Sequence, residues 1–112
     1  MALKMLYLHS VYDKLDIEAM IKDQGILPRD LPSKVVSIGY EIKPIDENKF
    51  KIVGQVARCC WKDPFNKKIA RAIINGRYEK RGPAFEIPWT ESFSIEELLQ
   101  SEFHPDYGAA WD

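Results

Sequence analysis

The stretch Val36-Ser37-Ile38-Gly39-Tyr40-Glu41-Ile42-Lys43, followed by Pro44-Ile45-Asp46-Glu47-Asn48 and then Lys49-Phe50-Lys51-Ile52-Val53, decides the fold. Val36, Ile38, Tyr40 and Ile42 alternate with Ser37, Gly39, Glu41 and Lys43. A period of two is the mark of a half-buried strand. Pro44 to Asn48 supplies turn chemistry. Phe50 and Ile52 then open a second strand that runs to about Trp61. The two runs predict an antiparallel β-hairpin. Gly54 leaves two alternatives for Arg58. Unbroken alternation puts Arg58 on the face of Phe50, Ile52 and Val56, whereas a bulge at Gly54 puts it on the other.

Upstream of the hairpin, Ser10 to Asp13 has the S-x-x-D form of a capping box. It predicts a helix over about residues 13–24, with Leu15, Ile17, Met20 and Ile21 as the apolar stripe and Gly25 as the stop. Residues 25–34, with Pro28 and Pro32, read as a connector. Downstream, Asp63 as N-cap and Pro64 in the first helical position predict a second helix. Phe65, Ile69, Ala72 and Ile73 fall along one face of it, Lys67, Lys68 and Arg71 mostly along the other, and Asn75-Gly76 reads as its end. Arg77 to Pro83 then reads as a basic linker. Phe85 to Trp89 reads as a short edge strand that Pro88 limits. Ser94, or as the less favoured alternative Ser92, is expected to cap a last helix over about residues 95–102, and residues 104–112 are expected to form a loosely ordered acidic tail in which Tyr107 and Trp111 are available to dock on a neighbour. The fold expected is α+β: a single domain over residues 1–112, with a central hairpin or small antiparallel sheet packed by two to three helices.

Composition excludes several classes. Apolar types make up 46 % and charged types 29 % of the 112 residues, so the chain is neither disordered throughout nor low in complexity. The longest apolar runs are far shorter than the ~20 residues a membrane span needs. No secretory leader is evident, and a cytoplasmic protein is expected. Cys59 and Cys60 are adjacent, and neighbours in a strand point to opposite faces, so no C-x-x-C or paired-thiol site arises. His9 and His104 have no partners at ligand spacing, and neither a metal nor any other cofactor is expected.

The net charge of −1 conceals a division along the chain. Residues 49–84 carry ten basic and two acidic groups, whereas residues 85–112 carry seven acidic groups and no Lys or Arg. Either the basic block meets an anionic ligand, or the two blocks neutralise each other within the fold or between subunits. Lys67 and Lys68 at the start of the second helix oppose its dipole, a conflict that a bound anion would remove. No catalytic triad, P-loop or dinucleotide fingerprint is present, and the chain is read as a binder rather than an enzyme.

The segment Lys62-Asp63-Pro64-Phe65-Asn66-Lys67-Lys68-Ile69-Ala70-Arg71-Ala72-Ile73-Ile74-Asn75-Gly76-Arg77 resembles a pattern of small bacteriophage proteins, K-D-x-F-x-[KR]-x-x-G-R-x-I-x-x-G-R. Ala70 stands where that pattern has glycine. Gly54-Gln55-Val56-Ala57-Arg58-Cys59 resembles the V-G-V-A-x-C strand that precedes it, and the likeness extends over residues 40 to 77. Among proteins of this look are the phage anti-Thoeris sponges, which sequester cyclic ADP-ribose isomers, and in some members cyclic oligonucleotides, to blind a bacterial immune system. The resemblance implies a homo-oligomer in the host bacterial cytoplasm that binds a cyclic nucleotide without cleaving it. No residue role is carried over from the family.

The residues fit that expectation on their own chemistry. A nucleotide binder needs Arg or Lys for phosphate. It also needs aromatic faces for the base, worth ~1–3 kcal/mol each in nucleic-acid systems, and an amide to read polar edges. Arg58, Lys62, Phe65, Asn66, Lys67, Arg71 and Arg77 are the candidates, with Trp61 and Tyr78 near them in sequence. Each has a plainer reading. Phe65 opens an apolar stripe and suits a core, Lys67 and Lys68 suit a solvated face, and Trp61 suits the end of a core. Two rival functions stand beside the sponge. One is an inhibitor that contacts a restriction or CRISPR-type defence complex directly. The other is a small nucleic-acid-binding protein, less favoured because the acidic tail would repel a polyanion.

Overall fold

The computed structural model describes residues 3–105. Four strands form one antiparallel sheet in the order β1-β2-β3-β4: β1 (Lys4–His9), β2 (Val35–Pro44), β3 (Phe50–Cys59) and β4 (Phe85–Trp89). Helices α1 (Lys14–Lys22), α2 (Lys67–Arg81) and α3 (Ile95–Phe103) are inserted between and after the strands. The α+β class and the central hairpin are as expected. β1 is an addition: Met5 to His9 lack a clean alternation, because Leu6 and Leu8 face one helix layer and Met5 the other.

The register of β2 on β3 runs unbroken from Val35↔Cys59 to Pro44↔Phe50. Gly54 is therefore no bulge, and Arg58 lies opposite Val36 on the face of Ile38, Ile52 and Val56. Gly54 is needed for another reason. A Cβ there would run into the carbonyl oxygen of Gly39 on β2.

Each face of the sheet carries one helix. On one side Leu99 and Phe103 of α3 pack with Leu8, Val36, Ile38 and Ile52. On the other, Ile74 of α2 packs with Ala57 and Leu3, flanked by Met5 and Tyr78. Ile74 sits against the bare backbone of Gly39, where a side chain would collide with its Cγ2. The stripe that α2 buries is thus Ala70, Ile74 and Tyr78, and Ile69 and Ile73 are left 59 % and 42 % exposed. The helix is rotated about one residue from the sequence expectation, because Gly39 accepts only the side chain that stands over it.

The bounds of α2 also differ. Its N-cap is Asn66, whose Oδ1 accepts from the backbone N–H groups of Lys68 and Ile69, so Asp63 and Pro64 belong to the preceding turn. A cap of this kind contributes about 1 kcal/mol. The helix passes through Gly76 and ends at Gly82, whose φ of +74° few other residues adopt. Arg77, Lys80 and Arg81 are consequently helical, not parts of a linker. α1 is shorter than expected. Asp13 is its N-cap and exchanges reciprocal bonds with Asp16 in a capping box. α3 is capped by Ser94, as expected.

The strands are staggered. β1 covers residues 35–40 of β2, whereas β4 covers only residues 50–54 of β3. This leaves the outer edge of β3 from Gln55 to Cys59 without a strand partner among the described residues. The stagger draws the molecule out to 54 × 28 × 18 Å, with a radius of gyration of 15.5 Å against the ~13 Å of a compact chain this long. Charge is layered across the sheet. α2 carries Lys67, Lys68, Arg71, Arg77, Lys80 and Arg81 against one acid, Glu79, while α3 on the opposite face carries Glu96, Glu97 and Glu102 and no base. Pro105 is buried and its carbonyl accepts from the backbone N–H of Ser33, so the chain is held at least that far. The expectation of an acidic tail with Tyr107 and Trp111 lies outside the described residues.

Candidate functional site

The uncovered edge of β3 has a cavity on either side of it. The first is a cleft of about 490 Å³ lined by Gln55, Val56, Arg58, Arg77, Arg81, Ala84, Phe85 and Phe103. Arg58 reaches it from β3, and Arg77 and Arg81 come from the last turns of α2 at i and i+4, which places both on one helix face. Arg77 donates from Nη1 to the carbonyl of Val56 at 2.9 Å and so caps the unpaired strand edge. Gln55 donates to the carbonyl of Gly82 at 2.7 Å, which fixes the end of α2 against β3. Arg58 donates from Nε to the hydroxyl of Ser33.

Among the described residues, no Asp or Glu lines this cleft. Neither Arg77 nor Arg81 has a carboxylate within ion-pair distance among the described residues. Two like charges one turn apart on a helix repel each other by a few tenths of a kcal/mol. The C-terminal dipole of α2 offsets part of that cost. The rings of Phe85 and Phe103, 4.9 Å apart, close one wall and lower the local dielectric. Charged guanidinium groups beside an apolar wall bind an oxyanion more strongly than they would in open water.

The second cavity, about 270 Å³, lies under the first half of α2, on that helix's face of the sheet. Its lining includes Ser37 and Ala57 on the strands, Phe65, Ile69 and Ile73 above them, and Cys59, Asp63 and Asn66 beside them. It exists because Ser37 and Ala57 are small and are paired across β2 and β3. Farther along, Ile74 fills the equivalent space over Gly39.

The seven residues singled out by sequence therefore divide. Arg58 and Arg77 meet in the arginine cleft. Phe65 and Asn66 line the second cavity, where the Phe65 ring stands edge-on to Tyr7 at 5.6 Å and to His9 at 5.9 Å. Lys67 lies over the Tyr7 ring, 5.0 Å from its centroid. Lys62 and Arg71 are exposed and line neither cavity. Trp61 donates to the carbonyl of Pro32 and ties two loops together, and Tyr78 packs with Ile74. Arg81, Gln55, Phe85 and Phe103 were not among the candidates. The signal for Arg81 was its spacing of four from Arg77, which has meaning only once the helix is carried past Gly76.

The two thiols are unequal. Burial, above all, pushes the Cys59 thiol up from its ordinary range, while Cys60 is exposed beside the carboxylate of Asp63. A raised pKa leaves less thiolate at a given pH, and the thiolate is the nucleophile. Iodoacetamide at pH 8 should therefore modify Cys60 first. Cys59 should lag behind it, because it is partly buried and its raised pKa leaves less thiolate. Peptide mass spectrometry over a time course reads both rates, and equal rates would contradict the assigned environment.

No helix among the described residues is long and apolar enough to cross a membrane. Compared with models of protein families, with curated proteins and with solved structures, the chain matches none.

Proposed function

We propose that this protein binds a small phosphorylated ligand of the nucleotide class in the arginine cleft and sequesters it without chemical change. The observation that carries the reading is the convergence of Arg58, Arg77 and Arg81 with Phe85 and Phe103 in one cleft that no carboxylate of the described residues lines. Planar guanidinium forks suit phosphate oxygens, and the two rings give an apolar wall for the rest of a ligand. Among the described residues, the cleft holds no nucleophile paired with a base, and binding is the chemistry those residues support. The motif resemblance supports a setting in which such a binder serves a bacteriophage by removing a cyclic nucleotide immune signal.

Titration calorimetry with ADP, cyclic ADP-ribose and cyclic di-AMP tests the reading. At least one should bind, and should be recovered intact by mass spectrometry after release. Arg77→Ala and Arg81→Ala should each weaken binding by about tenfold or more, corresponding to about 1.4 kcal/mol. The melting temperature of Arg81→Ala should stay near that of the parent, since its side chain is exposed, whereas Arg77→Ala should lose the ~1 kcal/mol of its bond to the Val56 carbonyl. Failure of every probe, or parent-like binding by both variants, would overturn the reading. Tight binding of duplex DNA that collapses with salt would move the protein to the nucleic-acid class.

A second reading, inhibition of a defence complex by protein contact, draws on the unmixed acidic face of α3. A face of one sign can stand in for nucleic acid on a basic partner. Pull-down of a host nuclease by the parent, lost on Glu96→Lys with Glu97→Lys, would support it.

A further inference from the structure

We infer that the 270 Å³ cavity beneath α2 is a second recognition site, one that takes a flat heteroaromatic ring of the nucleobase kind. As far as it concerns a ring joined to a phosphate, the inference rests on the reading of the arginine cleft.

Three observations converge. The first is shape. Ser37 and Ala57 give a low floor, and Phe65, Ile69, Ala70 and Ile73 give apolar walls. A mostly apolar hollow with a few converging polar groups is the usual form of a small-ligand pocket. Its volume exceeds what a purine occupies and falls short of most drug-sized ligands.

The second is polarity. Ser37 lines the floor and is 2 % exposed, yet its hydroxyl makes no hydrogen bond among the described residues. That hydroxyl is left to donate to, or accept from, a ligand atom placed over the floor. Asn66 spends its Oδ1 on capping α2, which leaves its amide N–H groups as donors at the rim. Asp63 supplies acceptor oxygens beside them, one of which already takes the Cys60 thiol. Donors and acceptors around an apolar hollow match the edge of a nucleobase, which carries both.

The third is placement. Ile73 of this cavity and Arg77 of the cleft are one turn apart on α2, about 6 Å along its axis. Arg58 lines both cavities. Ring and phosphate sites separated by the open edge of β3 would be served by one ligand that carries both groups.

Calorimetric titration with three probes separates this inference from the reading on which it rests. Adenosine carries the ring alone, inorganic pyrophosphate the anion alone, and ADP both. Parent protein should bind ADP more tightly than either fragment. Ala57→Leu, which fills the hollow, should weaken ADP and adenosine by about tenfold or more and leave pyrophosphate unchanged. Ser37→Ala, nearly isosteric and so safe for folding, should weaken adenosine in the same direction. Arg77→Ala should weaken pyrophosphate and ADP but not adenosine. If Arg77→Ala weakens pyrophosphate while Ala57→Leu and Ser37→Ala leave ADP and adenosine untouched, the ring site is overturned and the arginine cleft stands. If adenosine binds in a Ser37-dependent way and pyrophosphate does not bind, the ring site stands and the cleft reading falls. Binding of no probe overturns both.

Discussion

Gly54→Ala is expected to remove most of the protein's stability. β2 and β3 approach so closely at this point that an added Cβ would sit on the Gly39 carbonyl, with Gly39 C and Tyr40 Cα each only 2.9 Å away. All three obstacles are backbone atoms, so no side-chain rotation relieves the clash. The strands must separate in the middle of the longest ladder in the sheet. A cost of about 4 kcal/mol or more is expected, a large part of the 5–15 kcal/mol typical of a small domain. The same substitution at Gly76 should act in the opposite sense. Nothing lies within 4 Å of a Cβ built there, and the residue is inside α2. Gly76→Ala should stabilise by roughly 0.5–1 kcal/mol, the difference in helix propensity. Thermal melts followed by circular dichroism compare the two. Similar melts for both variants would refute the close approach of β2 and β3.

Leu99→Ala is expected to have the next largest effect. Leu99 is fully buried among Leu8, Val36, Ile38, Ile52 and Phe103, and with Phe103 it holds α3 to its face of the sheet. Removing three heavy atoms from such a site costs about 3 kcal/mol, the lost transfer energy plus the cavity left behind. For a domain of this size that lowers the melting temperature by on the order of 10–20 °C. Because Phe103 is also a wall of the arginine cleft, a loosened α3 should weaken nucleotide binding as well. Denaturant unfolding gives the first quantity and calorimetry the second. A loss below 1 kcal/mol would mean that α3 is held by something other than this contact.

The hairpin was legible because β2 alternates from Val36 to Lys43 and its turn is rich in Pro, Asp and Asn. β1 was not. Its six residues are flanked by helices on both faces of the sheet, and a strand covered on both sides loses the polar alternation that marks it. The end of α2 was misplaced for a different reason. Asn75-Gly76 is a sound local stop signal, and a glycine in a helix costs only about 1 kcal/mol. Packing of Tyr78 beyond it, and the Arg77 bond to β3, outweigh that cost. Gly82-Pro83 then ends the helix.

The buried face of α2 could not have been chosen from sequence at all. Ile69 and Ile73 make as good a pair at i and i+4 as Ala70 and Ile74 do. The choice belongs to Gly39, some thirty residues earlier on β2, whose missing side chain receives Ile74. The candidate site inherits the same limits. Arg58 and Arg77 were found because basic residues in a short motif draw notice. Their company was not, because Arg81 and Phe103 reach the cleft only through the extended α2 and the docked α3. Lys62 and Arg71 looked equivalent to them in the chain, and the fold sends both elsewhere.

The layering of charge across the sheet gives the molecule an electric dipole along the sheet normal. Its total charge of −1 conceals this moment. Before any contact forms, the field of a polyanion or an acidic surface exerts little net pull on such a body but turns it, so that α2 leads and α3 trails. The cleft spans the open edge of β3, and its Arg77 and Arg81 come from α2, on the leading side. Encounter with a negatively charged ligand thus begins with the molecule already oriented, and that advantage fades as salt shortens the field to about 8 Å under physiological conditions.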